Sequence, residues 1–576
     1  MRELIQKLAV LLSPRERWQA VGLFGMMLGG TLLELVGVGA IPAFVALLSD
    51  PAGIDRLPEA ARVLEVLGAT TPERLVLTGA LALFGLFAVK NAYLAVQSWA
   101  TARYAFGRQI AIARRLLWRY LSSPYTFHLQ RNSAELLRNS NQEALEVANS
   151  GLMPLLVLAK ETLTVGAILL LLLYVEPVTS LTAFVILGGT AGLFLRLMRR
   201  RTLRFGQQAH DSRMEMIQAV NEGLGGIKVT RVLGRESDFF DAFARASDRY
   251  AASGRVRQVL SEIPRLFLET AGIAGLLGVA ALLTWQGRPA VSLIPTMTLL
   301  AVAVVRMIPS FNQITAALNG IRYGRFAIDA VYQDLVAAET ALSSETGQTF
   351  REAIRLDGVS FRYPGAAAES LRGVSLEIQR GEAVGFVGPT GSGKTTLVDI
   401  VLGLLTPTEG RLTVDGEDIA GNERSWQRQI GYVPQDIFLT DDTIRRNVAF
   451  GIAPDAVDDD AVWRAVEAAQ ATEFVTRLPD GLDSLVGERG VRLSGGQRQR
   501  LGVARALYHD PEVLVLDEAT SALDNETERA VMDAVDGLKG TRTILMIAHR
   551  LTTVQGCDRI VTLRDGRCEV VRTVSA

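Results

Sequence analysis

Three glycines, Gly388, Gly391 and Gly393, are closed by Lys394 and Thr395 and stand between an apolar pentapeptide, Ala383–Val387, and a helical pattern over 395–402. A buried strand, a glycine loop and a helix in that order form an α/β layer whose loop faces outward at the strand end. Side chains at the glycines would block close approach. Bare backbone N–H groups and the helix N-terminus can instead wrap a triphosphate. Pro389, Thr390, Ser392 and Thr396 complete the cradle, Lys394 brings a charge to the outer phosphates, and Thr395 offers a hydroxyl to Mg²⁺. A glycine run alone can be a simple turn. Here a second apolar strand, Val513–Asp517, ends in Asp517, placed to hold the same ion, and Glu518 follows it. A carboxylate beside the metal ligand is what in-line hydrolysis needs to position and activate water. ATP and Mg²⁺ are the expected cofactors.

With these residues in view, the segment from about 353 to 570 resembles the nucleotide-binding domain of ABC transporters, which sets an ATPase domain at 351–576. The resemblance implies that Tyr363 stacks on adenine. It implies that Gln435, within Tyr432-Val-Pro-Gln435, senses Mg²⁺ and couples to the membrane part. Gly487-Glu-Arg-Gly490 is similar to the loop before the signature of exporters, and Ser494, Gly495, Gly496 and Gln497 match the signature itself. Ser521-Ala-Leu-Asp524 corresponds to the D-loop, and His549 to the switch histidine that touches the γ-phosphate. A satisfied strand-end histidine is the plain alternative for His549. In the family, the signature of one subunit closes over the ATP of another. This chain carries one copy of each motif, so it is expected to pair, most simply as a homodimer with two equivalent sites. A sister half-transporter in place of the second copy stays open.

The rest of the chain is apolar. It has 576 residues, 49% hydrophobic and only 21% charged, and its mean hydropathy is +0.22. That is more apolar than a soluble enzyme needs. Sixty basic against 61 acidic residues give no case for nucleic acid as a partner. Cys557 and Cys568 both fall in the ATPase, where ATP implies a reducing cytoplasm, and read as incidental thiols.

Six stretches are long enough to cross a bilayer: about 18–48, 75–98, 152–174, 178–198, 264–285 and 291–315. Arg103, Arg108, Arg114, Arg115, Arg119, Arg131 and Arg138 follow the second, and Arg196, Arg199, Arg200, Arg201 and Arg204 follow the fourth. Positive residues mark the cytoplasmic side, so both termini and the ATPase lie inside. The expected architecture is an α-helical transmembrane domain of six spans over 18–335, in the type IV ABC exporter fold, joined by a linker at 336–350 to the α/β P-loop ATPase. The resemblance implies a multi-pass protein of the bacterial inner membrane. Residues 1–17 read as an amphipathic helix on the inner membrane surface, without the small-residue cleavage site of a signal peptide. An external helix is expected near 55–68. The two long inner connections read as helices reaching out of the membrane, with turning points near 122–135 and 219–233 that resemble coupling helices. A pair of surface turns is the alternative, since Gly and Pro punctuate both.

Ionisable residues inside the spans bear on the cargo, each costing roughly 2.5–3.5 kcal/mol at a helix centre. At about 1.5 Å per residue, Lys90 and Arg306 lie roughly 22 Å from the outer ends of their spans and Arg265 roughly 30 Å. Three cations in the inner half of the membrane could converge on an anionic head group. They could equally snorkel, or pair with Glu34, Glu161 or Glu269. Pro264-Arg-Leu-Phe-Leu-Glu269, Arg306-Met-Ile-Pro-Ser310, Lys90-Asn-Ala-Tyr93 and Leu47-Leu-Ser-Asp50 resemble the bacterial lipid-linked oligosaccharide flippases of the N-glycosylation pathway. That resemblance implies a substrate cavity with Lys90, Arg265 and Arg306 on a polyprenyl-pyrophosphate head group, and an external helix that meets the lipid tail. Lys at the first position keeps the charge but loses the forked geometry of Arg. The expected function is an ATP-driven flippase for such a lipid. Export of lipid A, a phospholipid or a drug is the alternative. A soluble DNA-repair or translation ATPase is disfavoured by the spans, and a membrane-bound sugar-processing enzyme by the lack of a second catalytic constellation.

Overall fold

The computed structural model describes residues 2–49, 72–175, 211–285, 290–337, 349–519, 525–548 and 550–573, with isolated helical positions between 177 and 209. The chain forms two compact units, one of Met1–Tyr120 with Ala134–Ala338 and one of Leu121–Ser133 with Glu339–Ala576.

The first unit is helical. Among the described residues four helical segments are long and apolar enough to cross a membrane: Pro14–Ala46, Val76–Ser122, Glu135–Val175 and Thr296–Arg322. The expected span 264–285 is the C-terminal part of the continuous helix Glu236–Trp285. All but isolated positions of the span 178–198, the external helix near 55–68 and most of the linker 336–350 fall outside the described residues. Pro72–Ser122 runs unbroken for 51 residues, about 76 Å at 1.5 Å per residue, and Glu236–Trp285 is 50 residues long. A hydrocarbon core of about 30 Å leaves more than half of each outside it. Pro124 stops the first arm and caps the short helix Tyr125–Gln130. Gly226 and the left-handed Gly234 bracket Ile227–Leu233 in the second inner connection.

The N-terminal segment differs from expectation in two respects. Its helix is Arg2–Leu11, and a new helix starts at Pro14, because proline lacks the N–H that continuing the first would use. Arg17 and Arg115 donate to the carbonyls of Ala9 and Leu11 at the end of the first helix. Leu4, Leu8 and Leu11 are buried, and Lys7 is bonded to Asp329 at 2.7 Å. The apolar face therefore lies against Arg325–Ala337 of the same chain.

The ATPase holds two sheets. One is antiparallel, in the order β2 (Leu371–Gln379), β1 (Ala353–Phe361), β4 (Glu409–Val414), β5 (Glu417–Asp418). The other runs β10 (Arg567–Thr573), β9 (Arg559–Arg564), β3 (Ala383–Val387), β8 (Thr543–Ile547), β7 (Val513–Asp517), β6 (Ile430–Val433). All pairs in it are parallel except β9 with β10. Every residue of β3, β7 and β8 is buried, as strands covered on both faces must be. Ile547 is level with Phe386 on one side and Asp517 on the other. The glycine loop and Asp517 thus leave the sheet at the same edge, where open α/β sheets place their ligands.

Candidate functional site

The loop after β3 is shaped for phosphates. Gly393 has φ +100, and a Cβ there would lie 2.6 Å from the carbonyl oxygen of Ser370; one at Gly388 would meet that of Leu563 at 2.2 Å. Among the described residues nothing lies within 4 Å of a Cβ at Gly391, so the loop is packed behind and open in front. The Ser392 hydroxyl is buried without a partner among the described residues. Lys394 begins the helix Lys394–Val401, with Thr395 and Thr396 in its first turn, and its ammonium rests on the carbonyls of Gly388 and Pro389 at 2.9 and 3.0 Å. Burial draws the Lys394 ammonium below the usual lysine range against the pull of Glu518 and Asp517. Tyr363 meets Phe361 edge-on at 5.0 Å and shares a 3.1 Å hydroxyl contact with Thr396. An open cradle, an orphaned hydroxyl and an ammonium parked on its own loop fit a bound nucleotide.

At the same edge the acidic groups are already wired together. Glu518 adopts φ +50, a conformation that costs a non-glycine residue about 1 kcal/mol or more and clusters at functional sites. Its N–H donates to Ile547 at 3.1 Å, and its carboxylate accepts the Gln435 amide at 2.9 Å. Tyr432, three residues before Gln435, donates its hydroxyl to Asp517. Burial, then the charge of Asp517, pushes the Asp399 carboxyl up to about 6. Tyr125, on Tyr125–Gln130, is close enough to act electrostatically with Asp399, Tyr363 and Tyr432. Tyr432, Asp399 and Tyr125 were not singled out from sequence. The only signal was a tyrosine on the strand leading to Gln435.

Ser494 caps the helix Gly495–Leu507 through a reciprocal box, its hydroxyl accepting from the Gln497 N–H at 3.3 Å and its own N–H donating to the Gln497 side chain at 2.9 Å. Among the described residues a Cβ at Gly495 would meet nothing within 4 Å. The capped helix start is thus bare, as an anion-binding terminus must be. Further along, Arg505 donates to Asn447 O at 2.8 Å, to Asn447 Oδ1 at 3.1 Å and to Phe438 O at 2.6 Å. It staples the signature helix to the loop that follows Gln435. His549 and Ser521-Ala-Leu-Asp524 lie outside the described residues.

In the membrane unit, Arg306 presents its guanidinium fork to Glu34, Nε to Oε2 at 3.0 Å and Nη2 to Oε1. Lys90 lies over the Phe87 ring, 4.2 Å from its centroid, and feels the charges of Glu34 and Arg306. Lys90 and Arg306 are therefore brought together around one carboxylate. Arg265 is exposed in the single chain, and among the described residues it has no ion pair, with Glu269 or otherwise. Glu161 is fully buried beside Lys160, 3.2 Å away.

Comparison with known proteins bears on both units. The model of the ABC transporter transmembrane region matches residues 60–308, and that of the ABC transporter ATPase matches 371–521. An ATP-dependent lipid A-core flippase of Ralstonia nicotianae is 34% identical over 463 residues, 79% of this chain and 77% of that protein. The proteins of the same name from Methylococcus capsulatus and Thiobacillus denitrificans are 33% and 31% identical, with coverage of 80% and 77% and of 84% and 84%. A bacterial Atm1-family ABC exporter solved with ATP bound superposes with a TM-score of 0.76 at 24% identity, covering 97% of this chain and 95% of that one. That likeness establishes the fold: a type IV exporter membrane domain with an ABC ATPase.

Proposed function

The chain belongs to the ABC transporter family, as an exporter half-transporter that hydrolyses ATP to drive translocation, and from that premise we propose that two copies form a flippase for a phosphorylated glycolipid of the lipid A class in the bacterial inner membrane. The observation that carries this reading is that relatives about one-third identical over some four-fifths of the chain are lipid A-core flippases.

In the ATPase, Gly388 to Thr396 cradle the phosphates, Tyr363 takes the adenine, and the helix start at Ser494 to Gln497 closes over the ATP of the second copy. Thr395, Gln435 and Asp517 would hold Mg²⁺, which would supply positive charge to the phosphates. Glu518 orients and deprotonates the attacking water, released for that task when Gln435 turns from it. His549 meets the γ-phosphate. In the membrane, Lys90, Arg265 and Arg306 meet the anionic head group.

A polyprenyl-pyrophosphate oligosaccharide is the second reading. The two cations Lys90 and Arg306 favour it as much as lipid A, since either head group carries phosphate anions. It ranks second because relatives that match most of the chain carry the lipid A-core name. The test is ATPase activity of the purified chain in nanodiscs. Stimulation by lipid A but not by a neutral glycolipid supports the proposal; equal response to both removes it.

A further inference from the structure

Glu34 is 5% exposed on a membrane helix and is held by both prongs of Arg306 from a second helix. Lys90 comes from a third. Its stem lies 3.4 Å from where a Cβ on Gly37 would stand and its ammonium 3.8 Å from the same point, one helical turn beyond Glu34. Three helices therefore deliver two cations and one carboxylate to the same level, with one positive charge left over.

A guanidinium among apolar helices is costly without a partner. The fork geometry by which Arg306 grips Glu34 is also the geometry by which Arg grips a phosphate. Glu34 thus occupies the place an anionic head group would take. We infer that Glu34 is a built-in competitor, holding Arg306 between transport cycles and yielding it only to a head group that carries more charge than a carboxylate does. This rests on the reading of Arg306 and Lys90 as head-group contacts.

The exchange makes Glu34 a specificity device. An ordinary phosphodiester lipid brings one negative charge, no more than Glu34 itself. Glu34 is tethered, so it competes at a high effective concentration. A phosphomonoester brings about 1.5–2 charges at neutral pH, and a pyrophosphate brings at least as many. Such head groups gain from Lys90 as well as Arg306, and the surrounding phosphodiester lipids are refused.

The test compares the full-length protein with E34Q, E34D and R306Q in nanodiscs of neutral lipid. Lipid-stimulated ATPase is titrated in separate arms with lipid A, a polyprenyl-pyrophosphate oligosaccharide and phosphatidylglycerol. The wild type is expected to respond to one of the first two at a half-stimulating concentration about tenfold below that for phosphatidylglycerol, and E34Q to lose most of that preference by gaining phosphatidylglycerol response. E34Q leaves Arg306 without its partner, so E34D guards against misfolding: it keeps a charge for Arg306 with a shorter reach, and it should lose part of the preference. Undiminished preference in E34Q, or in E34D where E34Q does not fold, overturns the competitor role. If R306Q then still loses its glycolipid response, the cation site survives that failure. If R306Q responds as wild type, the head-group site itself falls and takes the inference with it.

Discussion

The side-chain amide of Gln435 donates to the carboxylate of Glu518 at 2.9 Å, joining the loop after β6 to the residue after β7. Glu518 is meanwhile held at φ +50 with its N–H on Ile547. The carboxylate is therefore aimed but engaged. Glu518→Gln keeps the shape and removes the base, so ATP binding should persist while turnover falls by about a hundredfold or more. Nucleotide affinity and steady-state ATPase, measured on the same preparation, check this. Near-normal turnover would remove Glu518 from the role.

Lys394 rests on the carbonyls of Gly388 and Pro389, a position it can leave for a phosphate at little cost. Lys394→Ala removes a buried charge at the outer phosphates, and ATP affinity should drop by about tenfold or more. Titration with a fluorescent ATP analogue reads it directly, and unchanged affinity would mean that the backbone cradle carries binding alone.

Asp399 is buried beside Asp517, and its carboxyl sits at about 6 against about 3.9 for a free Asp. The folded state binds this proton more tightly than the unfolded state. The group's stabilising contribution is therefore complete below about pH 4 and lost as pH rises through about 6. Asp399→Asn should be more stable than wild type at pH 7.5 by up to about 3 kcal/mol, with the gain vanishing towards pH 4. Thermal unfolding of the two proteins across that range is the check. A gain that does not change with pH would refute the assignment.

Arg505 supplies three hydrogen bonds to Asn447 and Phe438, and Asn447 is fully buried. Arg505→Met should cost about 2–4 kcal/mol through the acceptors it strands. ATP affinity at the glycine loop should remain, because Arg505 touches none of it. A thermal shift with a parallel nucleotide titration separates the two effects, and loss of binding without loss of stability would contradict the staple.

What was legible from sequence was local. Gly393 announces its loop because the reason for it, a carbonyl 2.6 Å from a Cβ, accompanies a fixed spacing to Lys394. Ser494 and Gln497 are three residues apart and cap one helix end. What was not legible was long-range or had two equal partners. Arg306 could snorkel, bind or pair, and only packing of helices 272 residues apart selects Glu34. The leucine stripe of Arg2–Leu11 suits a membrane or a protein surface alike, and its packing partner, its own chain around Leu8, is not written in the stripe. Tyr432 reaches Asp517 because β6 and β7 run parallel with Val433 level with Leu516, a register that no local pattern encodes. Nothing local to Arg505 marks it apart from a surface arginine of a helix; its contacts to Asn447, 58 residues away, give it its role.

The most direct test of the account is ATP-dependent flipping in proteoliposomes that contain this chain alone. Fluorescent lipid A, a polyprenyl-pyrophosphate oligosaccharide and a phosphodiester phospholipid are offered side by side, with Glu518→Gln as the control. The account predicts ATP-dependent movement of lipid A, none of the phospholipid, and none of either with the variant. Movement of the phospholipid in place of lipid A, or no movement of any of the three with a hydrolysing enzyme, would contradict it.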